Sequence, residues 1–521
     1  MQRSTRVLVL VVLVLWVSSV GCVRDGTSRA AGWTVVQTQH VRLYSDVSQA
    51  RATELAETFE RQHRGLAHIF SDCAAVAAEG VDEVVVFARQ ADLAELVGRE
   101  FDGIYSAPSD GLVPVAGRVV THADAVRDGA SGTFTHELTH RFVAACFPEL
   151  PPWLNEGLAC TFEGTQVRDG HIVFGLPRYV IADVAERETR TVRGTYVTAM
   201  PGRAVPTASE LVELTPAAFY DATTGPSVSS AAEALSGRYA AAWGLVHLLE
   251  AGGNPDLHVR FTAFLADLRG GQLPARDAFA RRFRDVDLDA ALRAHLRGGT
   301  YVVQRIPFDV GDSNLADARA ASTGETHLLL AEVELYSNHG GVERARQHLR
   351  AIGRSDPEFA RGRLLELTLA DDAAIVAGVD ALARLHSDDL DVLHARAFLA
   401  ARSEDPAAMR AALGALTRRG GLRPSDHHEI ASLLLALGRP ETAMRHALVA
   451  SVGTPGSYRV HTTRARIAAA LGRFEQARRS LGVALLIASE RAPLRVPELL
   501  ALVAEIERLT PPALAEPPRL P

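Results

Sequence analysis

The sequence contains no lysine. Its 55 Lys and Arg positions are all arginine, set against 62 Asp and Glu for a formal net charge of −7. In a chain this rich in alanine, the missing lysine reads as GC-rich codon usage, not as an arginine-specific binding surface. A chain of that sign has no basic field for a polyanion, so nucleic acid is excluded as a partner on charge. Cysteine is nearly absent too. Cys22, Cys73, Cys146 and Cys160 are the only four, too few for a disulfide-built scaffold and without the Cys-x-x-Cys spacing of a zinc–thiolate cluster. Aromatic residues are 6%, yet an apolar fraction of 47% over 521 residues is ample for two or three buried cores.

The apolar run Val7 to Val17 follows Arg3 and Arg6 and is too short to span a bilayer comfortably. Ser19-Val20-Gly21-Cys22 comes next. This segment resembles a bacterial lipoprotein signal over residues 1–22, which implies lipidation of Cys22 and membrane attachment through that lipid. A simply cleaved secretory signal and an uncleaved anchor are the other two readings. All three put the body of the protein outside the cytoplasm. Val23 after the cysteine implies an outer-membrane lipoprotein facing the periplasm or exterior; otherwise the protein is secreted. Residues 23–32 read as a linker.

What the chain does have is His136-Glu137-Leu138-Thr139-His140 and, sixteen positions after the second histidine, Glu156 within Trp153-Leu154-Asn155-Glu156-Gly157-Leu158-Ala159. On a helix, positions i and i+4 share a face, so His136 and His140 can aim two imidazoles at one ion. Glu137, one step round, is placed to accept a proton from water. A helical Glu156 supplies a third ligand and leaves a fourth position open, which is the catalytic rather than the structural pattern for zinc. Chance supplies the five-residue motif in roughly one such chain in twenty-five, so the second segment decides the reading. Phe134, Leu138 and Phe142 form a separate stripe at helical spacing, so the motif helix has its own buried face. Pro151-Pro152 suit a loop ending where a new helix starts, which puts Glu156 about one turn in. Cys146 and Cys160 follow the two metal-bearing segments. A bridge between them would tie the two helices together; the alternative is that Cys73, Cys146 and Cys160 are buried free thiols.

These two segments together resemble the gluzincin metallopeptidases and, more narrowly, the bacterial peptidase-MA-like group. The resemblance covers residues 33–300. It implies an α+β zincin-like domain, Zn2+ held by His136, His140 and Glu156, and Glu137 as general base. It also implies a role for the Tyr-x-x-Ala helix that begins at Tyr239, whose hydroxyl would meet the developing oxyanion; the competing role is packing beside Trp243. His247 reads as a structural histidine. A metzincin pattern is excluded, because Val143 and Cys146 stand where a glycine and a histidine are required. The gap from His140 to Glu156 is shorter than in thermolysin. Cys160 stands where thermolysin-like enzymes have an aspartate that orients a histidine, so the sequence names no partner for the histidines.

Elsewhere the pattern predicts strands at 33–37, 41–44, 83–87 and 117–121, and helices at 50–70, 90–99 and through much of 231–298. After a linker at 301–320 the composition shifts to Ala, Leu and Arg, and repeats emerge. Gly340-Gly341-Val342-Glu343-Arg344-Ala345 matches the segments ending at Ala443 and Ala477, which lie 34 residues apart; Ala374 and Ala408 mark weaker copies. Residues 321–508 therefore resemble an all-α, tetratricopeptide-like array of about five units, whose surface suits a protein partner or serves as a spacer. Residues 509–521 read as a disordered tail.

The expected function is zinc-dependent hydrolysis of peptide bonds in a peptide or protein substrate. The alternative is a non-catalytic envelope scaffold that binds partners through the repeats. Hydrolysis of a non-peptide amide or ester at the same metal is a third reading.

Overall fold

The computed structural model describes residues 32–73, 81–97, 103–106, 109–126, 132–147, 150–192, 195–220, 228–270, 275–298, 301–309, 311, 317–336, 341–454 and 456–509. Residues 1–22, read as a signal and containing Cys22, residues 23–31 of the segment read as a linker, and residues 510–521 of the segment read as a tail lie outside the described residues.

The first half is mixed α/β. In chain order it begins β1 (Thr34–Gln37), β2 (Val41–Ser45), α1 (Gln49–Ile69), β3 (Asp82–Phe87), α2 (Gln90–Val97) and β4 (Gly103–Ser106). The two-residue strands β5 (Ser109–Asp110) and β6 (Pro114–Val115) form a small hairpin, and β7 (Arg118–His122) precedes the motif helix α3 (Gly132–Cys146). These elements follow the sequence pattern closely. The strand segments are apolar at successive positions, so both faces of a sheet must be covered. Val36, Val41, Leu43, Val84 and Val86 share a core with α1 and α3, whereas Val35, Tyr44, Val85 and Phe87 point to the opposite core. β2, β3 and β7 are parallel, while β4 runs antiparallel to β7 as an edge strand.

The helix α4 (Pro152–Glu163) starts with Pro152 at its first turn, where a missing N–H does no harm, behind an extended Pro151. Small sheets follow, built from β8 (Gln166–Arg168), β9 (His171–Phe174), β10 (Tyr179–Ala182), β11 (Glu188–Val192) and β12 (Thr195–Pro201). Next come α5 (Ala208–Val212), α6 (Pro216–Tyr220), the long α7 (Val228–Ala251), α8 (Pro255–Gly270), α9 (Ala275–Phe283) and α10 (Leu288–Leu296). The segment expected as a linker carries two strands. β13 (Gln304–Pro307) pairs with β9, and β14 (Ala318–Ala320) pairs antiparallel with β1, which makes the main sheet six-stranded in the order β14-β1-β2-β3-β7-β4.

The second half is all helical. Five hairpins follow one another: α11 (Thr323–Tyr336) with α12 (Val342–Ala351), α13 (Phe359–Leu367) with α14 (Asp372–Leu385), α15 (Leu390–Ala400) with α16 (Pro406–Arg419), α17 (Pro424–Ala436) with α18 (Pro440–Gly453), and α19 (Tyr458–Ala470) with α20 (Phe474–Arg491). A further helix, α21 (Val496–Leu509), comes after them. Ala345, Ala443 and Ala477 are fully buried, as close helix approach requires. The weaker copies at Ala374 and Ala408 are each one residue early. The fourth residues of α14 and α16 are Ile375 and Met409, while Ala374 is exposed.

The halves are not beads on a string. Leu329, Leu330 and Val333 of α11 complete the second face of the sheet, sharing a core with Trp33, Tyr44 and Phe87. A chain of buried charges runs on from there. Arg118 of β7 lies 2.8 Å from both Glu83 and Glu332, and Arg361 lies 2.7 Å from Glu332 and 3.0 Å from Asp391. At the far end of the array, α20 packs beside α6. Among the described residues no helix is long and apolar enough to cross a membrane.

Candidate metal centre

α3 and α4 form a tight antiparallel hairpin, so positions advancing along α3 meet positions receding along α4. Phe134, Leu138 and Phe142 fasten α3 to the core, at 1%, 3% and 0% exposure. That face being taken, the histidines turn toward α4. Nε2 of His136 lies 3.3 Å, and Nε2 of His140 3.5 Å, from Oε2 of Glu156. Among the described residues, these three form a group whose ligand atoms all lie within 4.8 Å of one another and could hold a metal ion. Two ligands about 2.0 Å from a common tetrahedral centre stand roughly 3.3 Å apart, which is the spacing found here.

The neighbours of Glu156 sharpen this. Its Oε1 accepts a hydrogen bond from the Tyr220 hydroxyl at 2.7 Å, while its Oε2 is buried without a hydrogen-bond partner. A buried carboxylate oxygen whose only near neighbours are two imidazole nitrogens is stabilised either by a proton on those rings or by a cation held between them. The donor set therefore fits a divalent metal. Burial alone would raise the Glu156 carboxyl, but the imidazoles of His140 and His136 outweigh it and hold the group well below the ordinary carboxylate range.

The partners of the histidines, which the sequence left unnamed, come from α4. Nδ1 of His140 lies 3.0 Å from Oδ1 of Asn155, an acceptor that fixes the proton on Nδ1 and leaves Nε2 bare for a ligand role. Nδ1 of His136 faces Oε2 of Glu163 at 3.6 Å, a charge contact too long for a hydrogen bond. Glu163 is in turn paired with Arg178. Burial would raise the Glu163 carboxyl, but Arg178 and His136 bring it down to about 2. His136, Cys160 and Glu163 form a second group with metal-ligand spacing. The Arg178 cation already balances Glu163 there, whereas Glu156 faces only imidazoles, so the first group is the better seat for an ion.

The cysteines differ from expectation. Cys146 is bonded to Cys73, with 4.9 Å between Cα atoms, and Cys160 is a buried free thiol. Neither sequence reading holds in full: the Cys146–Cys160 bridge does not form, and of the three cysteines read as free thiols only Cys160 is one. Cys160 lies one turn after Glu156, beside His136, and Cys146 stands ten residues further along α3, about 15 Å at helical rise. The bond ties α3 to the segment after α1 instead.

Glu137 is half-buried on α3, and its charge is felt at both His140 and Tyr239. The ring of Tyr239 on α7 sits 6.5 Å from that of His136 and 5.7 Å from that of Phe219. Burial, followed by the charge of Glu156, pushes its phenol well above the usual value, so it stays a neutral donor. Gly157 makes this approach of α7 possible. A Cβ there would fall 2.5 Å from both the Ala242 carbonyl oxygen and Cγ2 of Val246. His247 is fully buried against the Gly175 carbonyl and His295, away from the ligands. Tyr220 carried no signal in the sequence: it ends a five-residue helix 64 positions from Glu156.

Comparison with family profiles, with curated proteins and with solved structures returns no match.

Proposed function

We propose that the chain is a zinc-dependent peptidase of the gluzincin kind, similar to the peptidase-MA-like group, with a zincin-like domain at 33–300 and tetratricopeptide-like repeats at 321–508. The observation that supports this reading is the convergence of Nε2 of His136, Nε2 of His140 and the buried Oε2 of Glu156 at metal-ligand spacing. His136, His140 and Glu156 would hold the ion. Zinc, when bound, supplies Lewis acidity toward a carbonyl and toward water.

The chain's own groups do the rest. Glu137 takes the proton of the attacking water and passes it to the leaving amine. Tyr239, a neutral phenol near His136, donates to the carbonyl oxygen as that atom gains charge. Asn155 and Tyr220 hold one ligand each in orientation. The Cys73–Cys146 bond fits an oxidising compartment, in line with export as a secreted or Cys22-lipidated protein. The non-catalytic scaffold reading has the helical array in its favour, but it leaves the convergence of two imidazoles and a buried carboxylate without a purpose.

The test is metal analysis of the purified exported chain, with cleavage of an unstructured polypeptide assayed with and without chelator. Glu137→Gln keeps its metal and loses about 10²–10⁴-fold in turnover. Glu156→Ala loses the metal. A Glu137→Gln form that cleaves like the parent removes the general base from this scheme, and a metal-free parent removes the whole reading.

A further inference from the structure

The β5–β6 hairpin has the wrong composition for a surface turn. Its tip reads Gly111-Leu112-Val113, and loop tips facing water are ordinarily polar. Leu112 and Val113 are nonetheless 5% and 1% exposed. What covers them is the helical array: both residues belong to one core with Leu328, Leu364 and Val392. The array also grips the hairpin's main chain. Nε2 of His394 on α15 lies 3.2 Å from the Gly111 carbonyl oxygen, and Nη2 of Arg361 on α13 donates to the Pro114 carbonyl oxygen at 2.8 Å. The other nitrogen of His394 lies 2.8 Å from Oδ1 of Asp426. The ring thus stands between two acceptors, one on the hairpin and one on α17.

We propose that the groove formed by α11, α13 and α15 is a binding site for an apolar turn, read through its carbonyls by Arg361 and His394, and that its occupant is the chain's own residues 111–115. The groove thus acts in cis. The segment it holds lies between β4 and β7, and β4 packs beside the motif helix: a Cβ at Gly103 would come within 3.0 Å of the Thr133 side chain on α3. Arg361 and His394 are positioning residues, fixing through the hairpin the edge strand next to the metal helix. A foreign polypeptide of the same chemistry, with small apolar side chains around a proline, fits the groove only by expelling the hairpin.

Two measurements on the full chain test this, and neither reads peptidase activity, so they stand or fall apart from the proposed function. In hydrogen exchange, residues 111–116 and β4 are protected in the parent. His394→Ala raises their exchange about tenfold or more and leaves α18–α20 unchanged, whereas His394→Gln, which keeps a donor, restores part of the protection. Unchanged exchange, or a rise spread over the whole chain, overturns the proposal. In the second measurement a labelled Gly-Leu-Val-Pro-Val-Ala peptide is titrated into the parent and into the Leu112→Gly, Val113→Gly chain. Saturable binding to the variant alone supports the proposal. Binding to both chains, or to neither, refutes it.

Discussion

The Tyr220 hydroxyl donates to one oxygen of Glu156 at 2.7 Å, and this bond selects which oxygen turns to the histidines. Replacing it tests the arrangement without removing a ligand. Tyr220→Phe should weaken metal binding about 10–100-fold, the usual effect of losing a group that orients a ligand. Competition with a chromophoric chelator reads the affinity directly. An unchanged affinity would show that the carboxylate is oriented by something else.

Gly157 allows α4 and α7 to touch backbone to side chain. In Gly157→Ala the new methyl would stand 2.5 Å from the Ala242 oxygen, so α7 must move. Overpacking of this kind costs about 1–3 kcal/mol, and here it also carries Tyr239 away from His136. Urea unfolding should show the loss. A variant as stable as the parent would mean that the helices have slack the structure does not show.

The Cys73–Cys146 bond closes a loop of 73 positions. Removing a native disulfide typically costs about 2–5 kcal/mol. Cys73→Ser with Cys146→Ser should therefore melt well below the parent, and reductant should lower the parent's melting temperature but not the variant's. Equal melting with and without reductant in the parent would contradict the pairing.

Glu60 links α1 to the turn before β2. It accepts from the Thr38 hydroxyl at 2.6 Å and the His40 backbone N–H at 2.9 Å, and pairs with the His40 ring at 2.7 Å. Burial alone would raise its carboxyl, but the His40 and Thr38 bonds outweigh that and bring it from 4.5 down to about 2. The folded chain thus binds this proton less readily than the unfolded one. Its stabilisation is full above pH 4.5 and is lost as pH falls toward about 2. Glu60→Gln should flatten that part of the stability curve. The same acid slope in parent and variant would assign the effect to other carboxylates.

Some of this was legible from residue patterns alone and some was not. Helix periodicity placed His136 and His140 on one face, because spacing along a single helix is a local property. Glu156 was reachable because its segment opens with a proline pair that fixes where the helix begins. Tyr220 reaches Glu156 across 64 positions and Arg178 reaches Glu163 across 15, and no local pattern marks either. The cysteines were left between a Cys146–Cys160 bridge and free thiols; the turn of the α3–α4 hairpin carries Cys160 to the opposite end from Cys146, and the true partner, Cys73, lies 73 positions upstream. The strands of residues 304–307 and 318–320 were missed because each is only three or four residues long and takes its partner from far upstream.

β14 has a consequence for how the chain can be divided. Three residues after position 317 cover the outer rim of β1, and α11 roofs the sheet face on which Trp33 and Phe87 lie. A fragment stopped at residue 300 would leave that rim with bare amide and carbonyl groups and that face wet, a surface ready to pair with its own copies. Ribosomal order matters for the same reason: β1 meets β2 at once but waits for nearly three hundred more residues before its outer neighbour exists.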